Sequence, residues 1–354
     1  MESRINVGID LHKTQFTVCV LIDEEELSCG KAFRMDEEGY DSFISEIRLL
    51  QKKRKSPGVA VAIESTANSR FFKEKMEKAG FDVVVVNTLR FKVINQSTRK
   101  TDKNDARTLA EFLSRDILPQ SHLCSAESEG LRRILKSRAL LVADSVALKN
   151  QAHAVLLAYG YMTTAAQFQS KAGRERIMKA VPQESAMVID SLFGTLEAVE
   201  RQQRILENRL KTITADDHAV NLLMTIPGIG IVNACTIRAY IDDIDRFESY
   251  KSFSSYCGLV PWVQTSNETV HYGSITKRGP QELRTALVQC VVAMVRMEDR
   301  TGNLGLMKQY RELKDQKSSG KAIIATARKL SRIIYVMLKT NTAFDARKLT
   351  DPDT

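Results

Sequence analysis

The chain contains no CxxC pair, and its six cysteines (Cys19, Cys29, Cys124, Cys235, Cys257, Cys290) are scattered. That spacing argues against a structural zinc site and a disulfide framework, and it suggests a reducing compartment. No apolar run approaches the roughly 20 residues that a membrane-spanning helix requires. The first residues lead straight into a charged, strand-like segment rather than a secretory leader. Internal repeats and low-complexity tracts are also missing. A soluble, cytoplasmic protein with no membrane partner is the expectation.

What is present fits a chain of more than one domain. It has 354 residues, 43% of them hydrophobic and 27% charged, enough apolar material to bury real cores. The formal charge of +9 is mild for this length, so its placement matters more than its sum. Residues 308–339 carry nine basic against two acidic residues, and 90–103 carry five against one. These stretches are the first candidates for phosphate contacts.

Strand and helix signals alternate through the first 90 residues. Ile5–Ile9, Phe16–Ile22 and about Ser28–Met35 read as strands, followed by a helix over Glu38–Lys53. The unbroken apolar run Val59–Ile63 is expected of a strand covered on both faces. A helix near Ser69–Ala79, stopped by Gly80, and a strand over Val83–Val86 complete a ribonuclease H-like order. From about residue 103 the chain turns helical, with one long helix over Glu127–Ala158. Ile189, Leu192, Leu196, Val199, Gln203, Leu206, Leu210 and Ile213 then form a heptad stripe with one polar position. This stripe fits either pairing between subunits or packing against the 127–158 helix of the same chain. The expected division is a carboxylate-bearing α/β domain over 1–120, a helical coiled-coil connector over 121–215, a mainly helical domain over 216–342 and a tail over 343–354.

Four carboxylates stand out by position. Asp10 ends the first strand and Glu64 ends the central one. Asp102 and Asp105, three apart at the start of a helix, share one helix face. Each alone has an innocent role, such as a helix cap or a complement to the helix dipole. Together, on adjacent strand ends and a facing helix, they would offer hard oxygen ligands suited to Mg²⁺ and to phosphodiester chemistry. Arg99 and Lys100 precede this helix as candidate nucleic-acid contacts.

The segment Ile226-Pro227-Gly228-Ile229-Gly230 resembles the turn of a helix-hairpin-helix element. There Gly228 and Gly230 would let backbone N–H groups approach a phosphate, although no basic residue lies within the turn. The segment from Cys257 to Arg284 reads as a helix end, an exposed loop and a basic turn into a helix over 281–297. Ser266, before Asn267, could present a hydroxyl to phosphorus; Thr265 and Ser274 are alternative bearers. Lys277, Arg278 and Arg284 supply positive charge for phosphoryl transfer. His271 is the local histidine.

These residues together resemble the transposases of the insertion sequence 110 family, which includes the pilin-gene invertases. The resemblance runs over about residues 4 to 300. It implies a RuvC-like domain with Asp10, Glu64, Asp102 and Asp105 holding Mg²⁺, a coiled-coil connector, and a transposase domain with Ser266 as nucleophile. The family has glycine directly after the serine, where this chain has Asn267. The resemblance further implies donor and target DNA as substrates, a guide (bridge) RNA as partner, and assembly as a dimer or tetramer. A bacterial, cytoplasmic protein associated with the nucleoid when active follows from the same likeness. A metal-dependent junction nuclease using water as nucleophile is the competing reading; a scaffold without chemistry has no use for four carboxylates that repel phosphate.

Overall fold

Ile5–Leu11 forms strand β1, whose side chains alternate between two covered faces. The computed structural model describes residues 4–22, 25–56, 58–94, 101–266 and 269–346. It divides into two units, Met1–Leu123 and Cys124–Thr354.

In the first unit, β1 pairs antiparallel with β2 (Gln15–Ile22), which pairs with β3 (Glu25–Arg34). Helix α1 (Glu37–Arg54) leads to β4 (Val59–Glu64), parallel to β1, and α2 (Ser69–Lys78) to β5 (Asp82–Val86), parallel to β4. The sheet order is β3-β2-β1-β4-β5. Helices α3 (Thr88–Ile94) and α4 (Asp102–Ser114) close the unit.

Period-two alternation sorts this sheet into two faces. Ile5, Val7 and Ile9 of β1 and Val59, Val61 and Ile63 of β4 join a core with Phe43, Ile47, Phe72 and Met76 from α1 and α2. The intervening residues face the other way, where α4 packs. That side is lined by small residues, with Ala60 and Ala62 near Leu109 and Leu113 and Ala106 and Ala110 near Cys19 and Leu21. Gly8 requires the smallest side chain of all. A Cβ there would meet the Ala106 carbonyl oxygen at 2.0 Å and the Ala110 nitrogen at 2.4 Å. The glycine therefore permits the helix backbone to lie directly on the strand.

Beside this contact the structure departs from the sequence expectation for cysteine. Cys19 and Cys29, ten residues apart, are register partners across β2 and β3, with Cα atoms 4.0 Å apart and their sulfurs joined. Linear spacing misses such a pair because a strand turn brings the residues opposite each other. Cys124, Cys235, Cys257 and Cys290 are buried and take no part in a disulfide.

The second unit is mostly helical. Helix α5 (Ala126–Leu157) is followed by the short α6 (Ala165–Gln169) and α7 (Lys171–Lys179), then by α8 (Gln183–Ile213). Helices α5 and α8 run antiparallel: Arg138 pairs with Glu207 and Lys149 with Glu200. Gln203, the polar position of the heptad stripe, donates from Nε2 to the Leu141 carbonyl at 2.8 Å. The stripe thus pairs with α5 of its own chain.

The rest comprises α9 (His218–Met224), α10 (Ile231–Ile241), α11 (Tyr250–Tyr256), β6 (Pro261–Ser266), β7 (Thr269–Ile275), α12 (Gln281–Arg296), α13 (Glu298–Thr301), α14 (Gly305–Gln316) and α15 (Ser319–Thr340). Its core gathers Ile237, Phe253, Leu287, Val291, Leu330 and Ile334. The stretch expected as an exposed loop after Cys257 is an antiparallel hairpin, β6 with β7. Trp262 and Val263, adjacent in β6, are 52% and 47% exposed, so these neighbouring strand residues show no buried/exposed alternation for a sequence pattern to reflect. Among the described residues no helix is long and apolar enough to cross a membrane.

Candidate active site

The acidic site is built from two periodicities. On β1, Gly8 and Asp10 share the face toward α4, and on β4 so do Ala62 and Glu64. The parallel register pairs Ile9 with Ile63, so Asp10 and Glu64 are the next residues along the two neighbouring strands. Both are half-buried.

Helix α4 completes the arrangement. Its N-cap is Thr101, not Asp102: Thr101 Oγ1 accepts from the Asn104 N–H at 3.2 Å. Asp102 is thereby free of capping and begins the helix. Asp105 follows one turn later, on the stripe that continues through Ala106, Leu109 and Leu113 onto the sheet. The close seat on Gly8 brings the first turn of α4 to the end of β1.

Electrostatics reports the convergence. Burial raises the Asp10 carboxyl above its ordinary range, and the negative charges of Asp102 and Asp105 push the same way, opposed by His12. His12 is the residue that sequence reasoning missed. Its Nε2 lies 2.9 Å from Asp10 Oδ2 and 3.3 Å from Asp102 Oδ2. Burial pulls its pKa down, but the two carboxylates outweigh that and hold it above the ordinary imidazole value. A signal did exist in the sequence, because His12 stands two residues after Asp10, just past the end of β1.

In the second unit, the backbone of Ser266 ends β6 and pairs with Thr269, while Thr265 pairs with Val270. Asn267, like Arg99 and Lys100, lies outside the described residues. Ser274 and His271 sit on β7, both exposed. After the hairpin, Lys277 adopts a left-handed conformation with φ 52°, and Lys277 and Arg278 are exposed. Arg284, expected as a phosphate contact, turns inward: Nη1 donates to the Lys277 carbonyl at 3.1 Å. Gly279, with φ 105°, passes so close to Tyr256 that a Cβ would meet its carbonyl oxygen at 1.9 Å. The basic turn is therefore clamped to the end of α11, and it presents Lys277 and Arg278 outward.

The turn between α9 and α10 has a similar explanation. Gly228 has φ 91° and abuts α12, where a Cβ would meet Met294 Cγ at 2.8 Å and the Cys290 carbonyl at 3.1 Å. Gly230 is exposed, with open space around it, at the N-cap of α10.

Two family models match this chain. Residues 7–161 match the model of the DEDD transposase of IS110, described as a transposase, and residues 220–305 match the model described as the transposase IS116/IS110/IS902 family. The chain belongs to the IS110 family of transposases. It is 28% identical to the transposase for insertion sequence element IS1328 of Yersinia enterocolitica, over 96% of this chain and 98% of that one. It is 25% identical to the IS1111A transposase of Coxiella burnetii, over 94% and 89%. It is 24% identical to the pilin gene-inverting protein of Moraxella bovis, over 98% and 99%.

For an IS110-family transposase a divalent metal in the DEDD unit is the chemical expectation, and the donor set here fits one. Ligand atoms of Asp10, His12 and Asp102 all lie within 4.8 Å of one another. Two carboxylates and an imidazole nitrogen are ordinary ligands for such an ion.

Proposed function

We propose that this transposase breaks and rejoins DNA through a covalent phosphoserine intermediate, with Asp10, Glu64, Asp102 and Asp105 as metal-holding carboxylates and Ser266 as nucleophile. The observation that carries the reading is the convergence of Asp10 and Asp102 around one point, with Asp105 acting on the same carboxyl. Clustered like charges are costly to hold together in a DNA-processing protein unless a cation is to be held there.

A bound Mg²⁺ would supply Lewis acidity at a phosphodiester oxygen. The chain's own residues do the rest. The four carboxylates orient the site, and Lys277 and Arg278 steady the phosphate that Ser266 attacks. Ser266 Oγ forms a bond to phosphorus while the bond from phosphorus to a deoxyribose oxygen breaks, and that oxygen leaves as a hydroxyl after taking up a proton. The phosphoserine retains the energy of the broken linkage. Attack by the hydroxyl of another strand then releases Ser266 and joins the new pair.

In this reading residues 1–120 act as a RuvC-like domain, 121–215 as a connector and 216–342 as the serine-bearing domain. The sheet order β3-β2-β1-β4-β5 supports the RuvC-like assignment. Gly228 and Gly230 belong to a sequence-blind, helix-hairpin-helix-like contact, and Arg99 and Lys100 to the DNA-facing surface. A guide (bridge) RNA and a homo-oligomeric assembly rest on the family likeness; sequencing nucleic acid that copurifies with the protein tests the RNA.

The decisive test is a denaturing gel of protein incubated with donor DNA. A boiling-resistant adduct that disappears in S266A but persists in T265A and S274A supports the serine route. Free 5′-phosphate products without adduct would transfer the chemistry to water as nucleophile.

A further inference from the structure

We propose that His12 is a nitrogen ligand of the metal held by Asp10 and Asp102, and that it tilts this site from Mg²⁺ toward first-row transition ions such as Mn²⁺. The inference rests on the carboxylate reading above and extends it to the identity of the ion.

Three observations carry it. First, the three donor atoms are spaced as ligands of one ion would be, a spacing they share with the direct His12–carboxylate contacts. Neighbouring donors on an octahedral ion with bonds of about 2.1 Å stand about 3 Å apart. His12 Nε2 lies 2.9 Å from Asp10 Oδ2 and 3.3 Å from Asp102 Oδ2, and all three ligand atoms fall within 4.8 Å of each other.

Second, the residue is held in place by backbone rather than by chance. Its N–H donates to the Gln15 carbonyl at 3.0 Å, closing the turn from β1 to β2. Its carbonyl accepts from Asn68 Nδ2 at 3.3 Å, just before α2. The backbone of His12 is thus tied to the start of β2 and to the segment that follows Glu64, and its ring reaches Asp10 and Asp102 from that fixed point.

Third, the donor is chemically distinct from the rest. Mg²⁺ is a hard ion that prefers oxygen and keeps its waters, whereas an imidazole nitrogen adds affinity chiefly for transition ions. A site of carboxylates alone has no such bias. His12 is the group that would introduce one.

The competing role for His12 is a counter-charge that lowers repulsion between Asp10 and Asp102 without touching the ion. The two roles predict different metal selectivity. In the full-length protein, Mn²⁺ and Mg²⁺ affinities are measured by calorimetry for wild type, H12A and H12N. The ligand role predicts a loss of about tenfold or more for Mn²⁺ with a change of less than about threefold for Mg²⁺. A parallel change for both ions overturns it. Pulsed electron paramagnetic resonance of Mn²⁺-loaded wild type reads the bond without any variant: modulation from a coordinated imidazole nitrogen is expected, retained in H271A and lost in H12A. Its absence in wild type overturns the proposal even if H12A fails to fold. Mn²⁺ binding unchanged in D10N would sink the carboxylate site itself and the His12 assignment with it, whereas loss in D10N with no effect in H12A sinks only the latter.

Discussion

Gly8 on β1 and Ala106 on α4 are so close that a single methyl group on the glycine would sit 2.0 Å from the alanine's carbonyl oxygen. Backbone cannot yield as a flexible side chain can. The Gly8→Ala protein is expected to lose about 2 kcal/mol or more through overpacking, or to shift α4 away from the strand. Either way Asp102 and Asp105 move relative to Asp10. Chemical denaturation and Mn²⁺ calorimetry on the same variant check this; wild-type values in both would refute the role given to Gly8.

Asp10 carries a cost in the absence of metal. Burial and the charges of Asp102 and Asp105 raise its carboxyl above the ordinary value of 3.8. The folded chain then binds a proton that the unfolded chain releases, so this group's contribution to stability declines as pH rises from that ordinary value through the raised one. At neutral pH in chelator, D10N is expected to melt at a higher temperature than wild type while losing strand transfer. An unchanged or lower midpoint for D10N would contradict the electrostatic picture.

Gln203 ties α8 to α5 within one chain. Q203A is expected to lose about 1 kcal/mol with its hydrogen bond to the Leu141 carbonyl, while I205A, at an exposed position of the same helix, should change stability by less than about 0.5 kcal/mol. The Q203A loss should be independent of protein concentration. A loss that grows on dilution would place this contact between subunits instead.

Arg278 of the basic turn and Arg284 of α12 should separate cleanly. Arg278 is exposed, and R278A is expected to lower the slope of log affinity against log salt by about 0.9, the value of one phosphate contact on duplex DNA, with the melting temperature unchanged. Arg284 donates to the Lys277 carbonyl, so R284A should lower the melting temperature. The same salt slope in R278A as in wild type would remove it from the DNA surface.

Much of the fold was legible because its signals are local. The apolar run Val59–Ile63 has the pattern of a doubly covered strand, and that strand is β4, with Ala60 and Ala62 toward α4 and Val59, Val61 and Ile63 toward α1 and α2. The hairpin β6–β7 was not legible, because the adjacent residues Trp262 and Val263 are both exposed and give no alternating signal. The Cys19–Cys29 pair was equally hidden, since it follows from the register between β2 and β3 rather than from spacing along the chain.

For the site, the amino-acid order by itself determined which residues share a face. Strand period two aligns Gly8 with Asp10, His12 follows just past the strand end, and helix period aligns Asp102 with Asp105 and Ala106. Tertiary structure alone decided that these faces meet. The parallel register of β1 with β4 and the seat of α4 on Gly8 are long-range packing choices. Periodicity specifies direction within an element, but only close packing between elements brings Asp10, His12 and Asp102 within ligand distance of one another.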